Sequence, residues 1–316
     1  MNFKCFKKNE NWVLIIIISL FMTFSNAFAE LKIVTSFSQD ASFVEEIGGD
    51  RVSVTSLTNG VQDPHAVKPK PSIAVILKKA DLLIINGQQM EISWLPAALK
   101  AVDNPNIMVG GKGYMDASKD VSLIPYTQQE LEGTPFFPKY IDGFAKVSNH
   151  HYWLDPGNGL IIAKNIYEKL AEMDDKNIDY YKGNYENFVD KLTNKMKDWD
   201  AMMSPFRGKK IVSYHRDWIY LAKRHSLTIA DYIEPKETIP PSAEHVAKLV
   251  KEIMDNNISL ILISPWQPQR ISHEVAIQSN TQILSLPSAV DPRLGTTDYI
   301  QMFDVIYSQL SMHLQG

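Results

Sequence analysis

The spacing of apolar and polar positions predicts a chain built from alternating strands and helices. Short apolar segments, several with an apolar residue at every second position, are typical of strands. Between them, apolar residues recur at three- or four-residue spacing, which is typical of helices. Because this alternation fills both halves of the chain, we expect an α/β fold with mostly parallel sheets. The predicted strands cover residues 31–36, 52–57, 81–85, 107–109, 210–214, 227–233, 260–263 and 282–286.

The longest helical pattern lies at mid-chain, over residues 179–203. Its apolar positions Phe188, Leu192 and Met196 recur at four-residue spacing among many charged residues. A polar helix of this length between two α/β halves is predicted to connect them. Residues 113–148 lack either period and contain several prolines, so they are predicted to form a long loop.

The first residues have the pattern of a secretory signal. Three lysines precede an apolar run from Trp12 to about Phe24, and Ala27 and Ala29 then fit the small-residue rule for cleavage. The alternative is a membrane anchor, but the run is well short of the roughly 20 residues that a spanning helix needs. We therefore expect residues 1–29 to be a signal peptide that is cut after Ala29.

Charge and cysteine content narrow the class of protein. Without the three lysines and one glutamate of the signal, the 32 basic and 36 acidic residues become 29 and 35, a net charge of −6. A mildly acidic surface argues against a nucleic-acid partner. The one cysteine, Cys5, precedes the apolar run and is removed with the signal, so we expect neither a lipid anchor nor a thiolate ligand.

Three histidines and one aspartate, from four separate segments, are placed where they could meet at one site. His65 follows the strand over 52–57, His215 follows the strand over 210–214, and His151 ends the long loop. Asp291 comes shortly after the strand over 282–286. Ligands of open α/β sheets bind beyond the carboxyl ends of the strands, so these four side chains are candidates for one site.

Three imidazoles and a carboxylate suit zinc, which binds nitrogen and oxygen ligands in a tetrahedron. Manganese prefers more oxygen ligands, and copper and nickel accept the same ligand types. His150 adjoins His151 and is either an outer partner, an alternative ligand or without a role. Asp155 is interpreted as a helix cap. The remaining histidines fall on charged helical segments and are predicted to be solvated: His225, His245, His273 and His313.

Hydrolytic motifs are missing from the sequence. There is no His-Glu-x-x-His, no Gly-x-Ser-x-Gly and no phosphate-binding glycine loop. These absences favour a binding protein over an enzyme, with a zinc hydrolase as the less favoured alternative.

Several segments resemble, in the same order, the signatures of the zinc/manganese ABC-transporter solute-binding family. The resemblance covers nearly the whole chain after the signal. It rests on Asp63-Pro64-His65, Pro69, Pro71-Ser72, Lys79-Ala80-Asp81-Leu82, Asn86-Gly87, Glu91, Trp94-Leu95, His151-Tyr152-Trp153-Leu154-Asp155-Pro156, Asn158, Ser213-Tyr214-His215 and Tyr220-Leu221-Ala222.

The resemblance implies two α/β lobes joined by one long connecting helix, with the metal at the lobe interface. The implied boundaries are 30–175 for the first lobe, 176–205 for the linking helix and 206–316 for the second lobe. His65 and His151 would come from the first lobe and His215 from the second. Asp291 is the nearest match to the fourth family ligand, although Arg293 adds one residue to the usual spacing. Glu234 or a water molecule are the alternatives.

The family also implies a function. The protein would be a periplasmic monomer that captures Zn²⁺, or alternatively Mn²⁺, and delivers it to an ABC permease in the inner membrane. Histidine at position 215 favours zinc, because manganese-specific relatives often have glutamate there. Residues 113–148 lack the histidine-rich loop of many zinc-specific relatives. A binder of a larger chelate, such as a siderophore or haem, is the other alternative.

Overall fold

Two four-stranded parallel sheets, one in each half of the chain, frame the protein. The computed structural model describes residues 30–68, 70–132 and 148–315. The first sheet has the order β2-β1-β3-β4 and the second has the order β6-β5-β7-β8. All strand pairs in both sheets are parallel, so the predicted fold class, two α/β lobes, is confirmed.

Among its described residues, the first lobe contains four strands and five α-helices. The strands are β1 (Leu31–Thr35), β2 (Val52–Ser56), β3 (Leu82–Ile85) and β4 (Tyr114–Asp116). The helices are α1 (Ser38–Gly48), α2 (Pro71–Lys78), α3 (Leu95–Lys100), α4 (Gln128–Leu131) and α5 (Pro156–Met173).

A single long helix, α6 (Ile178–Met203), connects the lobes. Its 26 residues span roughly 39 Å at 1.5 Å per residue. It packs against α1 and α5 of the first lobe and against the C-terminal helix. The predicted helix over 179–203 is therefore confirmed to within one residue, and it lies inside the predicted linking segment.

The second lobe repeats the arrangement of the first. Its strands are β5 (Lys210–Ser213), β6 (Thr228–Tyr232), β7 (Leu260–Ile263) and β8 (Gln282–Ser285). Its helices are α7 (Ile219–Arg224), α8 (Ala243–Asp255), α9 (Gln269–Ser279) and α10 (Tyr299–Gln315).

One large apolar core runs through both lobes. It joins Phe43 of α1, Phe188 of α6 and Phe303 of α10 to Leu262 in the second sheet. The rings of Phe43 and Phe188 meet edge to face at 5.4 Å between centroids, an arrangement that stabilises aromatic pairs beyond their burial. A shared core of this kind restricts the lobes to small relative motions, since packed interiors are not continuously deformable.

The predicted strand over 107–109 is wrong. Pro105–Ile107 form a 3₁₀ turn, and Val109 is 81% exposed. The fourth strand is instead β4, which lies inside the segment predicted to be a loop. Only its central residue, Met115, is buried. A strand this short has too few residues for an alternation of apolar and polar positions to be detected. Residues 133–147 of the predicted loop lie outside the described residues.

The predicted signal segment, 1–29, also lies outside the described residues. Among those that are described, no helix combines the length and the apolar character that crossing a membrane requires.

Candidate metal centre

Four histidines bring their ring nitrogens together between the ends of the two sheets. The members of this four-histidine cluster are His65, His150, His151 and His215, and one ring nitrogen of each lies within 4.8 Å of those of the other three. His150, His151 and His215 are buried, and His65 is partly buried. Four nitrogen donors at this spacing match what a single tetrahedral metal ion requires.

His65 is held by the turn that follows β2. The carboxylate oxygen Oδ1 of Asp63 lies 2.9 Å from the backbone nitrogen of His65 and 2.9 Å from its Nδ1. Burial alone would raise the pKa of Asp63, but the hydrogen bonds and charge of His65 hold it below its usual value. Since a carboxylate only accepts hydrogen bonds, Nδ1 carries the proton and Nε2 is left as the donor atom for a metal.

His150 and His151 precede the 3₁₀ turn Tyr152–Leu154. Asn149 fixes His151, because its Oδ1 accepts from the backbone nitrogen at 2.9 Å and lies 3.3 Å from Nδ1. Asn86, directly after β3, donates from Nδ2 to the carbonyl of His150 at 3.0 Å. The two asparagines thus hold the backbone of His150 and both the backbone and the ring of His151.

His215 follows β5, and its Nδ1 bonds to the carboxylate of Glu234, which follows β6. Burial lowers the pKa of His215, but the hydrogen bond and charge of Glu234, with Glu237 and Asp217, raise it to about 9. For His151 and His150 the pKa is held well below its usual value, mainly by burial. At neutral pH the metal-free protein therefore has a protonated imidazole at His215 in the second lobe and neutral imidazoles at His150 and His151 in the first.

The Nε2 atoms face a common centre. Within the described residues, Nε2 of His151 and Nε2 of His215 have no hydrogen-bond partner, although both rings are buried. Nε2 of His65 lies 3.0 Å from Nε2 of His150. Rings that are bonded through Nδ1 and bare at Nε2 have the arrangement that outer hydrogen bonds give to metal-binding histidines.

Asp291 does not join the cluster. Its two carboxylate oxygens accept four hydrogen bonds, from N, Nε and Nη2 of Arg293 and from the backbone nitrogen of Gly60, at 2.5–3.0 Å. The hydrogen bond from Arg293 also keeps the pKa of Asp291 below its usual value. The structure thus brings together three of the four predicted residues. It places the fourth in an ion pair with Arg293 of its own lobe and in a hydrogen bond with Gly60 of the first lobe.

Sequence reasoning left His150 open and missed Glu237. The adjacency of His150 to His151 was the available signal, and the structure places both rings in the cluster. Glu237 lies on a turn after β6, where no motif marks it. Its Oε1 is 3.7 Å from Nε2 of His65 and 3.6 Å from Nε2 of His150.

Two other expectations concern single residues. Asp155 caps α5 by accepting from the backbone nitrogen of Gly157, as predicted. The expected solvation of His225 is wrong: its side chain is buried, and Nε2 lies 2.9 Å from the hydroxyl of Tyr307. Burial lowers the pKa of His225 to about 4.

Comparison with known proteins places the chain among metal-uptake proteins. The family model described as zinc-uptake complex component A, periplasmic (ZnuA), matches residues 33–312. The chain is 27% identical over 260 residues to the manganese ABC transporter substrate-binding lipoprotein PsaA of Streptococcus pneumoniae, covering 81% of this chain and 79% of the relative. It is 25% identical over 258 residues to the high-affinity zinc uptake system protein ZnuA of Bacillus subtilis, covering 81% and 78%.

Solved structures share the fold. The Cd-bound periplasmic metal-binding protein of Candidatus Liberibacter asiaticus superposes with a TM-score of 0.73 at 18% identity, covering 90% of this chain and 100% of that one. FpvC of Pseudomonas aeruginosa in complex with Mn²⁺ gives the same TM-score and identity, covering 90% and 98%.

Proposed function

Since the chain belongs to the family of periplasmic zinc-uptake components, we propose that it captures Zn²⁺ at the four-histidine cluster and delivers it to an ABC permease. The named relatives are substrate-binding proteins of metal transport systems. The chain is accordingly a metal-binding component of this kind and not an enzyme.

The donor set is the observation that carries the choice of zinc. All four members of the cluster offer imidazole nitrogen, which suits zinc in a tetrahedron. Manganese favours carboxylate, carbonyl and water oxygen. The buried, unpartnered Nε2 atoms of His151 and His215 support the same assignment, because such atoms are unfavourable unless a ligand satisfies them.

The dimensions of the cluster favour a single ion over a chelate. Donor atoms within 4.8 Å of one another leave room for one ion between them. A siderophore or haem would instead need a wide cleft lined by extended aromatic or cationic surfaces.

The proposed delivery of the ion depends on its ligands coming from both lobes. His215 comes from the second lobe and the other three imidazoles from the first, so a small shift between lobes would break the coordination. We propose that contact with the permease in the inner membrane produces that shift. We also propose a periplasmic monomer. Several relatives are named lipoproteins, and the lack of a lipid anchor here stays a prediction from the position of Cys5.

Titration of the metal-free mature chain, residues 30–316, tests the proposal. Calorimetry with Zn²⁺ and then competition with Mn²⁺ should give one ion per chain and displacement of manganese by zinc. Trp153 and Trp266 lie 5.3 Å from His151 and 5.6 Å from His65 between ring centroids, so tryptophan fluorescence provides a second signal.

The matched comparison uses histidines inside and outside the cluster. A variant carrying both His65→Ala and His151→Ala should lose zinc binding, and His273→Ala should keep it, because His273 is exposed on α9. Unchanged zinc affinity in the double variant would contradict the proposed site. In the source cells, deletion of the gene should lower cellular zinc under limitation, and the double variant should fail to restore it.

A further inference from the structure

The four-histidine cluster contains no anionic donor of its own. Four neutral imidazoles around Zn²⁺ would leave two positive charges in a buried site, and uncompensated buried charge is strongly unfavourable. The sequence suggested Asp291 for this role, but the carboxylate of Asp291 is saturated by Arg293 and Gly60. Another carboxylate should therefore face the ring nitrogens that a metal would occupy.

Of the carboxylates in contact with the cluster, Glu237 has the required orientation. Asp63 and Glu234 bond to Nδ1 of His65 and His215, on the side of each ring that faces away from the centre. Oε1 of Glu237 instead lies 3.6–3.7 Å from the Nε2 atoms of His150 and His65. Asp63 and Glu234 orient the rings, whereas Glu237 faces the place where the ion would lie.

We propose that Glu237 is a fifth metal donor, which reaches from the second lobe to the histidines of the first and supplies the negative charge of the site. The proposal rests on the proposed function, since it concerns the same ion. Glu237 is 7% exposed. At 3.6–3.7 Å its Oε1 is too far from either ring for a hydrogen bond, so this oxygen is free of a strong competing contact there.

The turn that carries Glu237 is tied to the cluster. The backbone nitrogen of Ile239 donates to the carbonyl of Lys236 at 2.9 Å and closes the turn. Thr238 has φ 63°, a left-handed conformation that is a genuine outlier for a β-branched residue. Its backbone nitrogen donates to Oε1 of Glu234 at 3.0 Å, and Oε2 of Glu234 bonds to His215. One carboxylate thus fixes both the second-lobe imidazole and the turn that presents Glu237.

A narrow pocket places Glu237 at the edge of the cluster. Glu237, His65 and His150 line it together with Ile92, which is exposed to solvent. Gln89, which also lines it, and the preceding Gln88 have left-handed backbones, at φ 66° and 50°. Backbone strain of this kind collects at ligand sites. Glu237 is therefore positioned to meet an ion that enters from this side.

An oxygen donor changes which ions the site accepts. Manganese prefers oxygen ligands and zinc is well served by imidazole alone. Glu237 should therefore matter more for Mn²⁺ than for Zn²⁺, and it would let a histidine cluster hold either ion.

Glu237→Gln tests this role, because it removes the charge and keeps the shape of the side chain. Affinities for Zn²⁺ and Mn²⁺ are measured by competition with a chromophoric chelator. We expect Mn²⁺ affinity to fall by at least about tenfold, the smallest loss typical of removing even an outer partner of a metal ligand, and Zn²⁺ affinity to fall less. Glu132→Gln is the matched control, since Glu132 is exposed and its carboxylate contacts Gln128; its affinities should equal those of the wild type.

Visible absorption of the Co²⁺-loaded protein gives a readout of coordination. Loss of a fifth donor should convert a weak five-coordinate spectrum into the stronger spectrum of a tetrahedral ion. Equal affinities for both ions together with an identical Co²⁺ spectrum in Glu237→Gln would overturn the role of Glu237. So would an affinity loss in Asp291→Asn without one in Glu237→Gln. Failure of the wild-type protein to bind any of these ions would instead overturn the proposed function itself.

Discussion

The two lobes contribute to the four-histidine cluster in opposite ways. The first lobe provides three imidazoles, and burial holds the pKa of His150 and His151 well below its usual value. The second lobe provides one imidazole, His215, and the carboxylates of Glu234 and Glu237. These carboxylates raise the pKa of His215 to about 9 against the effect of its burial. The neutral imidazoles of His150 and His151 therefore come from the first lobe, and the carboxylates that act on His215 come from the second.

This division has a consequence for capture and release. Neither lobe alone offers both the number of donors and the charge that a divalent ion requires. Both are combined only while the lobes are in contact, so the affinity of the site depends on the relative position of the lobes. A small displacement between rigid lobes is then sufficient to weaken binding, without the wide hinge motion that the shared apolar core disfavours.

The largest expected effect is the loss of zinc affinity in His215→Ala. This change removes the one imidazole that the second lobe gives to the cluster, and it leaves the partly buried Glu234 without its histidine partner. We expect an affinity loss of more than about 100-fold, beyond the range for outer partners. His150→Ala should lose less, because donors from both lobes remain. Competition titration measures both, and thermal unfolding checks that each variant is folded. Equal losses of zinc affinity in the two variants would contradict the different roles assigned to the two lobes.

The next expected effect is on the contribution of the cluster histidines to the stability of the metal-free protein, which should be largest near pH 6.5. The folded pKa of His215, about 9, exceeds its unfolded value, so its contribution is complete below about pH 6.5 and is lost as pH rises through about 9. This contribution is on the order of 3 kcal/mol. For His150 and His151 the folded pKa is lowered. Their contribution is complete above about pH 6.5 and is lost as pH falls.

Urea unfolding of the metal-free protein between pH 5 and pH 10 measures both limbs. Glu234→Gln should remove most of the alkaline limb, because the raised pKa of His215 depends on Glu234, and should leave the acid limb in place. A variant that loses the acid limb instead would reverse the roles assigned to the two lobes.

The lobes also differ in how far the sequence predicted them. His65 and His215 were found because they follow strands, and parallel strands bring their ends to one edge. His151 was found at the end of the long loop. Asp291 also follows a strand, but Arg293, two residues later, takes up its carboxylate in a two-pronged hydrogen bond. A residue that follows a strand is thus predicted to lie near the site, but the sequence does not show which group its side chain will bond to.

Contacts between distant segments account for the other differences. His225 is buried because Tyr307, from the C-terminal helix, lies against it, and no local pattern contains that contact. Glu237 reaches the cluster through a turn whose shape depends on a hydrogen bond to Glu234 and on a left-handed threonine that propensity disfavours. The periodic elements were predictable, and the irregular turns that complete the site were not.

The smallest expected effect comes from relieving backbone strain at one turn of the second lobe. Thr238→Gly replaces a β-branched residue at φ 63° by the residue that adopts this conformation freely. Removing about 1–2 kcal/mol of left-handed strain outweighs the extra chain entropy of glycine, about 0.5–1 kcal/mol. The metal-free protein should gain up to about 1.5 kcal/mol in urea unfolding. The freed turn holds Glu237 less firmly, so Mn²⁺ affinity should weaken, by less than in Glu237→Gln. Asp120→Gly is the counterpart on the first lobe, where φ is 62°. It should leave Mn²⁺ affinity unchanged, because Asp120 is exposed on a turn outside the cluster. A loss of Mn²⁺ affinity in Asp120→Gly and none in Thr238→Gly would contradict the role of the second-lobe turn.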